Sequence, residues 1–200
     1  MGQAAAAPRM PRWVPNGLSA LRVGLVPVWL IAAFAERARA ADGLEVRRWP
    51  VLLLIALIGG TDFLDGWIAR RFGLASPTGA AIDAFADKLA TFTAVTFLTF
   101  AGAPAFTAVP VWLWAVLVAR DVTLGVGFAV LHARARQVDA EHLWHGRLGT
   151  ALLCALVLLA CAAAPAAVIT ALSAALVALV VPGTADYVRR GWKQLWLASR

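Results

Sequence analysis

Charge is scarce in this chain. Of 200 residues, 14% are charged and 62% hydrophobic, and the mean hydropathy is +0.77. A soluble domain carries roughly 25% charged residues, so too little polar surface remains here to wrap a soluble core. Cysteine is scarce as well. Cys154 and Cys161 stand seven apart in an apolar run of Leu, Ala and Val, where cysteine behaves as a small hydrophobe; neither a disulfide nor a thiolate metal centre is expected. The apolar runs lack period-two alternation, which excludes a transmembrane barrel. No internal repeat occurs. A cleavable signal peptide is not expected either, because the first hydrophobic run is too long for one and carries a polar pattern inside it.

What is present is a series of long apolar runs. Runs of about 18 residues or more read as bilayer spans, and six helices are expected, over Trp13–Ala35, Trp49–Phe72, Thr78–Phe100, Pro104–Leu131, Leu148–Ala163 and Ala166–Val181. The last two are divided at Pro165 and are read as separate spans joined by a tight turn. The chain thus divides into an N-terminal flexible or interfacial segment (1–12), a six-helix membrane domain (13–190) and a C-terminal tail (191–200). The fold class is all-α, an integral membrane bundle.

The net charge of +7 does not point to nucleic acid, because the basic residues sit between hydrophobic runs, where topology and anionic lipid explain them. With a cytoplasmic N-terminus, the inner side holds Arg9, Arg12, Arg70, Arg71, Arg134, Arg136, Arg147, Arg189, Arg190, Lys193 and Arg200. The outer side holds Arg37, Arg39, Arg47 and Arg48, mixed with Glu36, Asp42 and Glu45. The positive-inside bias therefore places both termini in the cytoplasm, at what is expected to be a bacterial inner membrane.

Charges inside spans cost a few kcal/mol each on insertion scales and mark function by default. Here they are Arg22, Lys88 and Arg120, with Asp62, Asp65, Asp83, Asp87 and Asp121. Two pairs matter most. Asp62 and Asp65 are three apart and Asp83 and Asp87 four apart, so each pair shares a helical face. Between them, Arg71 to Thr78 includes Gly73, Ser76 and Pro77, which suits a short turn between antiparallel helices. Four carboxylates at one depth would repel one another if empty and are hard oxygen ligands of the kind Mg²⁺ or Mn²⁺ takes. Two such ions could share them with a diphosphate. Gly59, Gly60, Gly66, Ala69, Gly79 and Ala80 leave room for a ligand or a second helix, and Arg70 could stabilise charge on a leaving phosphate. A buried acidic cluster neutralised by Arg and Lys, a cation pathway lined by the aspartates, or a non-catalytic membrane assembly protein are the competing readings; Arg70 beside the acids argues against the pathway.

Asp62-x2-Asp65-Gly66-x2-Ala69-Arg70-x8-Gly79-x3-Asp83-x3-Asp87 matches, at every specified position, the defining pattern of the CDP-alcohol phosphatidyltransferases, which this chain resembles. The resemblance implies six helices around a cytoplasm-facing polar active-site cavity, often in a homodimer. It implies that Asp62, Asp65 and Asp83 bind metal, with Asp87 as general base and further ligand. Gly66, Arg70 and Ser76 match positions that contact the cytidine diphosphate of CDP-diacylglycerol, and Gly79 is grouped with them. Pro15-Asn16-Gly17-Leu18-Ser19-x-x-Arg22, Ala86-Asp87-Lys88 and Arg120-Asp121 resemble motifs of the branch that makes phosphatidylglycerophosphate or cardiolipin. Gly146-Arg147-x-x-Thr150 and Gly183-x-x-Asp186-Tyr187 are similar to two more, with Arg147 for the usual Lys and Pro182 for a usual Ser; Ala84 stands where that branch has Pro. The acceptor implied is a phosphorylated alcohol, sn-glycerol 3-phosphate first and phosphatidylglycerol second. As a dianion, glycerol 3-phosphate needs cationic partners, for which Arg120 and Arg147 are the candidates, although an ion pair with a neighbouring carboxylate is the competing role for Arg120. His132, His142 and His145 are read as surface histidines, and Asp186 as a local partner of Arg189 or Arg190.

Overall fold

The computed structural model describes the backbone of residues 13–72, 77–134 and 144–198; Asp62, Asp65, Gly66, Arg70 and Arg147 are placed by backbone alone. All regular structure among these residues is helical: α1 (Trp13–Ala41), α2 (Arg48–Phe72), α3 (Pro77–Phe100), α4 (Val111–Arg134), α5 (Trp144–Cys161) and α6 (Ala166–Ala198). Stretches Gly17–Ala41 and Ala166–Trp192 are long and apolar enough to cross a bilayer, and Arg48–Thr61 and Leu148–Cys161 are shorter apolar helices. Only 28% and 22% of the most apolar 18-residue window of each long stretch is buried, unlike the core helix of a soluble protein. Large side chains such as Ile31 and Phe85 face outward at 70% and 63% exposure, a surface suited to lipid.

Several helix ends differ from the sequence expectation, each for a physical reason. Hydropathy marks where a helix would leave the bilayer, not where its hydrogen bonds stop. Thus α1 continues six residues past Ala35, through Glu36 and Arg37, and α6 runs through Pro182 to Ala198. The expected boundary between residues 190 and 191 falls inside α6. Conversely, α4 begins at Val111 and not at Pro104. Residues 101–110 are apolar yet turn: the Phe106 N–H donates to the Gly102 carbonyl, the Val109 N–H to the Leu98 carbonyl, and Pro110 accepts from Leu113 and Trp114. Proline at 110 disfavours helix at Val109 and supplies no N–H of its own. The expected break at Pro165 is observed.

The chain divides into two compact units, residues 1–97 and 98–200. In the first, α1 packs on α2. Val26, Trp29 and Ala33 form a buried stripe on α1 at helical spacing, and Val51 and Ile58 are buried on α2. Phe97 of α3 stands edge-on to Trp29 (5.6 Å between centroids) and to Phe34 (5.0 Å). The α1–α2 turn is closed by Gly43 at φ 72°, with Leu44 N–H bonded to Arg39 O and Gly43 N–H to Ala40 O, the paired bonds of a Schellman motif. Its charged side chains bind backbone and each other: Glu36 accepts from the Arg47 backbone N–H at 2.7 Å, Arg39 donates to the Glu45 backbone carbonyl at 3.2 Å, and Arg39 Nε lies 3.5 Å from Glu36 Oε2.

In the second unit α6 packs on α4 and α5. Gly127 of α4 leaves room for Tyr187 of α6, since a Cβ there would lie 3.1 Å from the ring. The α5–α6 turn repeats the Schellman pattern with Ala163 at φ 57°, its bonds running from Ala164 N–H to Leu159 O and from Ala163 N–H to Ala160 O. Thr107 secures this turn, donating through its N–H to Ala160 O and through its hydroxyl to Ala164 O. Within apolar helices the hydroxyls of Thr61, Thr170, Ser173 and Thr184 bond back to carbonyls one turn earlier, so these four need not face hydrocarbon unpaired.

Candidate functional site

The four motif acids lie on two consecutive helices, Asp62 and Asp65 on α2, Asp83 and Asp87 on α3, with only residues 73–76 between those helices. At ~1.5 Å per residue, Asp65 stands ~10 Å before the end of α2 and Asp83 ~9 Å after the start of α3. Asp62 and Asp87 each lie ~15 Å from the same ends. An antiparallel hairpin would therefore bring Asp65 level with Asp83 and Asp62 level with Asp87. Arg70 is two residues from the end of α2, Gly66 one turn earlier, and Gly79 is the third residue of α3, partly buried. Ser76 lies outside the described residues. Gly59 and Gly60 meet no described atom: a Cβ at either has nothing within 4 Å.

Asp83 and Asp87 are one turn apart on α3, and both are partly exposed. Asp83 is held from a helix that the core motif does not include. Arg22 of α1, with 1% of its side chain exposed, places Nη1 3.1 Å from Asp83 Oδ1. The Ser19 hydroxyl, one turn before Arg22, reaches the same oxygen at 3.5 Å. Both residues are buried while the Asp83 side chain remains 42% exposed, so the fixed end of the contact is on α1 and the open end on α3. The sequence marked Arg22 as an in-span cation and Ser19 as part of a motif, but nothing in it joined either to Asp83, 61 residues away from Arg22.

No group of three or more His, Cys, Asp or Glu side chains among the described residues forms a metal-holding cluster; that set leaves out Asp62 and Asp65. The donor chemistry nevertheless fits a hard divalent ion. Asp83 offers a partly exposed carboxylate oriented through one oxygen, Asp87 a second carboxylate on the same face, and carboxylate oxygen is what Mg²⁺ and Mn²⁺ select.

The two candidate acceptor cations belong to the second unit. Arg120 Nη1 lies 3.5 Å from Asp121 Oδ1, both partly exposed, which is the neighbouring-carboxylate pairing set against its acceptor role. Arg147 is in the first turn of α5. Asp186 and Arg189 form the expected local pair, at 3.9 Å, on exposed α6 surface.

Comparison with known proteins brings these observations together. A family model for CDP-alcohol phosphatidyltransferases matches residues 12–182. A cardiolipin synthase (CMP-forming) from Streptomyces coelicolor is 36% identical over 120 residues, 59% of this chain and 51% of that protein. The CDP-diacylglycerol–glycerol-3-phosphate 3-phosphatidyltransferase of Bacillus subtilis is 26% identical over 135 residues, 65% of this chain and 67% of that protein. A probable phosphatidylglycerophosphate synthase from Mycobacterium tuberculosis is 29% identical over 198 residues, 97% of this chain and 88% of that protein. The matched part thus spans about half of the Streptomyces relative and nearly all of the mycobacterial one.

Proposed function

The chain belongs to the CDP-alcohol phosphatidyltransferase family, and on that premise we propose that it transfers the phosphatidyl group of CDP-diacylglycerol to sn-glycerol 3-phosphate, giving phosphatidylglycerophosphate and CMP in phospholipid synthesis. The observation that carries this reading is the eight-position motif divided between α2 and α3, with its acids at matching distances along the chain on either side of a four-residue connection. The site would open to the cytoplasm between six spans, with both termini on that side, as the distribution of Arg and Lys favours.

Asp62, Asp65, Asp83 and Asp87 would hold Mg²⁺ or Mn²⁺, two ions by analogy with the motif, and divalent ions at this position neutralise the substrate diphosphate and the charge of the departing CMP. Asp87 takes the proton of the acceptor hydroxyl. That oxygen then bonds to the β-phosphorus, the one bearing diacylglycerol, as the bond from the β-phosphorus to the bridging oxygen breaks and CMP leaves. Arg70 pairs with the leaving phosphate. Gly66, Ser76 and Gly79 border the cytidine diphosphate, where an absent or small side chain allows close approach. Arg120 and Arg147 bind the phosphate of the acceptor. Much of the rate would come from fixing donor and acceptor in line.

A second reading has specific support: the Streptomyces relative is named a cardiolipin synthase, for which phosphatidylglycerol would be the acceptor. The match over 97% of this chain to a probable phosphatidylglycerophosphate synthase favours the first reading. Purified protein incubated with CDP-diacylglycerol, Mg²⁺ or Mn²⁺ and a panel of acceptors separates the two. CMP release with glycerol 3-phosphate and formation of phosphatidylglycerophosphate support the first reading; product with phosphatidylglycerol alone replaces it with the second. Absence of CMP release with every acceptor would overturn both.

A further inference from the structure

We propose that Arg22 and Ser19 of α1 are positioning residues for the divalent-ion site, acting by fixing the Asp83 carboxylate through its Oδ1. This rests on the reading of Asp83 as a metal ligand and adds a third helix to a site that the motif assigns to two.

The contact has the properties that a positioning role requires. Arg22 is 1% exposed and Ser19 is 3% exposed, so their own side chains are held by the packing of α1. They are one helical turn apart and therefore present donors from one face. Both donors converge on a single oxygen of Asp83, at 3.1 and 3.5 Å. A carboxylate fixed at one oxygen by a planar guanidinium has its orientation set, and the other oxygen is directed by that constraint. Outer contacts of this kind orient metal-binding carboxylates elsewhere, and their loss typically costs about tenfold or more in metal affinity.

A purely electrostatic role would act in the opposite direction, because a cation beside a divalent-ion site opposes the incoming ion. The decisive variants therefore keep the charge. Arg22→Lys retains +1 but shortens the reach and removes the fork. Ser19→Ala leaves Arg22 intact and removes the longer contact.

The test is Mn²⁺ binding by the purified protein in detergent, followed as loss of the free-ion electron paramagnetic resonance signal and accompanied by kcat and KM from CMP release. Arg22→Lys is expected to weaken Mn²⁺ binding by about tenfold and Ser19→Ala by about twofold to threefold. In both, kcat should fall at limiting Mn²⁺ and recover in part at excess ion, while KM for CDP-diacylglycerol changes little. Asp83→Asn should abolish the effect, so that adding Arg22→Lys to it causes no further loss. Wild-type Mn²⁺ affinity in both Arg22→Lys and Ser19→Ala would overturn the inference and leave the proposed function standing. A wild-type protein that binds no Mn²⁺ would overturn the metal reading and this inference together. If Arg22→Lys does not fold, Ser19→Ala decides by itself.

Discussion

The two Schellman turns make a reciprocal prediction. Gly43 and Ala163 occupy the same left-handed position, at φ 72° and 57°, each followed by the same pair of carbonyl bonds. A non-glycine residue in that conformation costs ~1–2 kcal/mol. Glycine avoids this cost but loses more chain entropy on folding, by roughly 0.5–1 kcal/mol. Ala163→Gly should therefore stabilise the protein by about 0.5–1 kcal/mol, and Gly43→Ala should destabilise it by a similar amount. A Cβ at Gly43 meets no described atom within 4 Å, so backbone strain alone sets the second value. For a chain of this length 1 kcal/mol corresponds to about 2–4 °C in Tm, so the two variants, separated by about 1–2 kcal/mol, should lie about 2–8 °C apart. Thermal loss of helical circular dichroism in detergent reads both. A fluorogenic maleimide gives a local check near Ala163, where Cys161 is buried while Cys154 is exposed. Shifts in the same direction, or no shift in either variant, would refute the assignment of these turns.

Asp87→Asn should lower kcat by about 10²–10⁴-fold, the range of a lost general base, with Tm in the absence of metal largely retained; CMP release and melting curves check it. Arg120→Ala should raise KM for glycerol 3-phosphate by about tenfold, the effect of losing one charge-assisted hydrogen bond, and should alter phosphatidylglycerol use far less. Gly102→Ala should destabilise by about 1–3 kcal/mol through overpacking, since its Cβ would lie 3.1 Å from Leu98 Cα and 3.2 Å from Leu98 O. Gly60→Ala, which meets nothing within 4 Å, should instead stabilise by about 1 kcal/mol through helix propensity. If it lowers activity without lowering Tm, the small residue at position 60 serves the ligand.

Helix number and class were legible because continuous apolar runs divided by Gly, Pro and charged segments leave few alternatives to helices. The acids were legible because charge inside such runs is costly enough to need a purpose. Helix ends were not. Glu36 and Arg37 end the apolar pattern of α1 but not its hydrogen bonds, and Pro182 removes one donor from α6 without stopping it. Apolarity carried the expected start of α4 back to Pro104, across a segment whose prolines and turn bonds exclude helix. Arg22 and Asp83 were each visible as charges inside apolar runs, yet their pairing depends on how α1 and α3 pack. That packing is set by contacts such as Trp29 with Phe97, which no local pattern encodes. Arg120 shows the converse: its neighbour Asp121 was in plain view in the sequence and is the partner it takes.

The central claim is that one divalent-ion site draws its ligands from α2 and α3. An experimental structure of the protein with Mn²⁺, read through the anomalous scattering of manganese, tests it directly. The account predicts anomalous density about 2 Å from carboxylate oxygens of Asp62, Asp65 and Asp83, with Asp87 beside it. Manganese bound elsewhere, or these four carboxylates directed apart with the ion present, would contradict it.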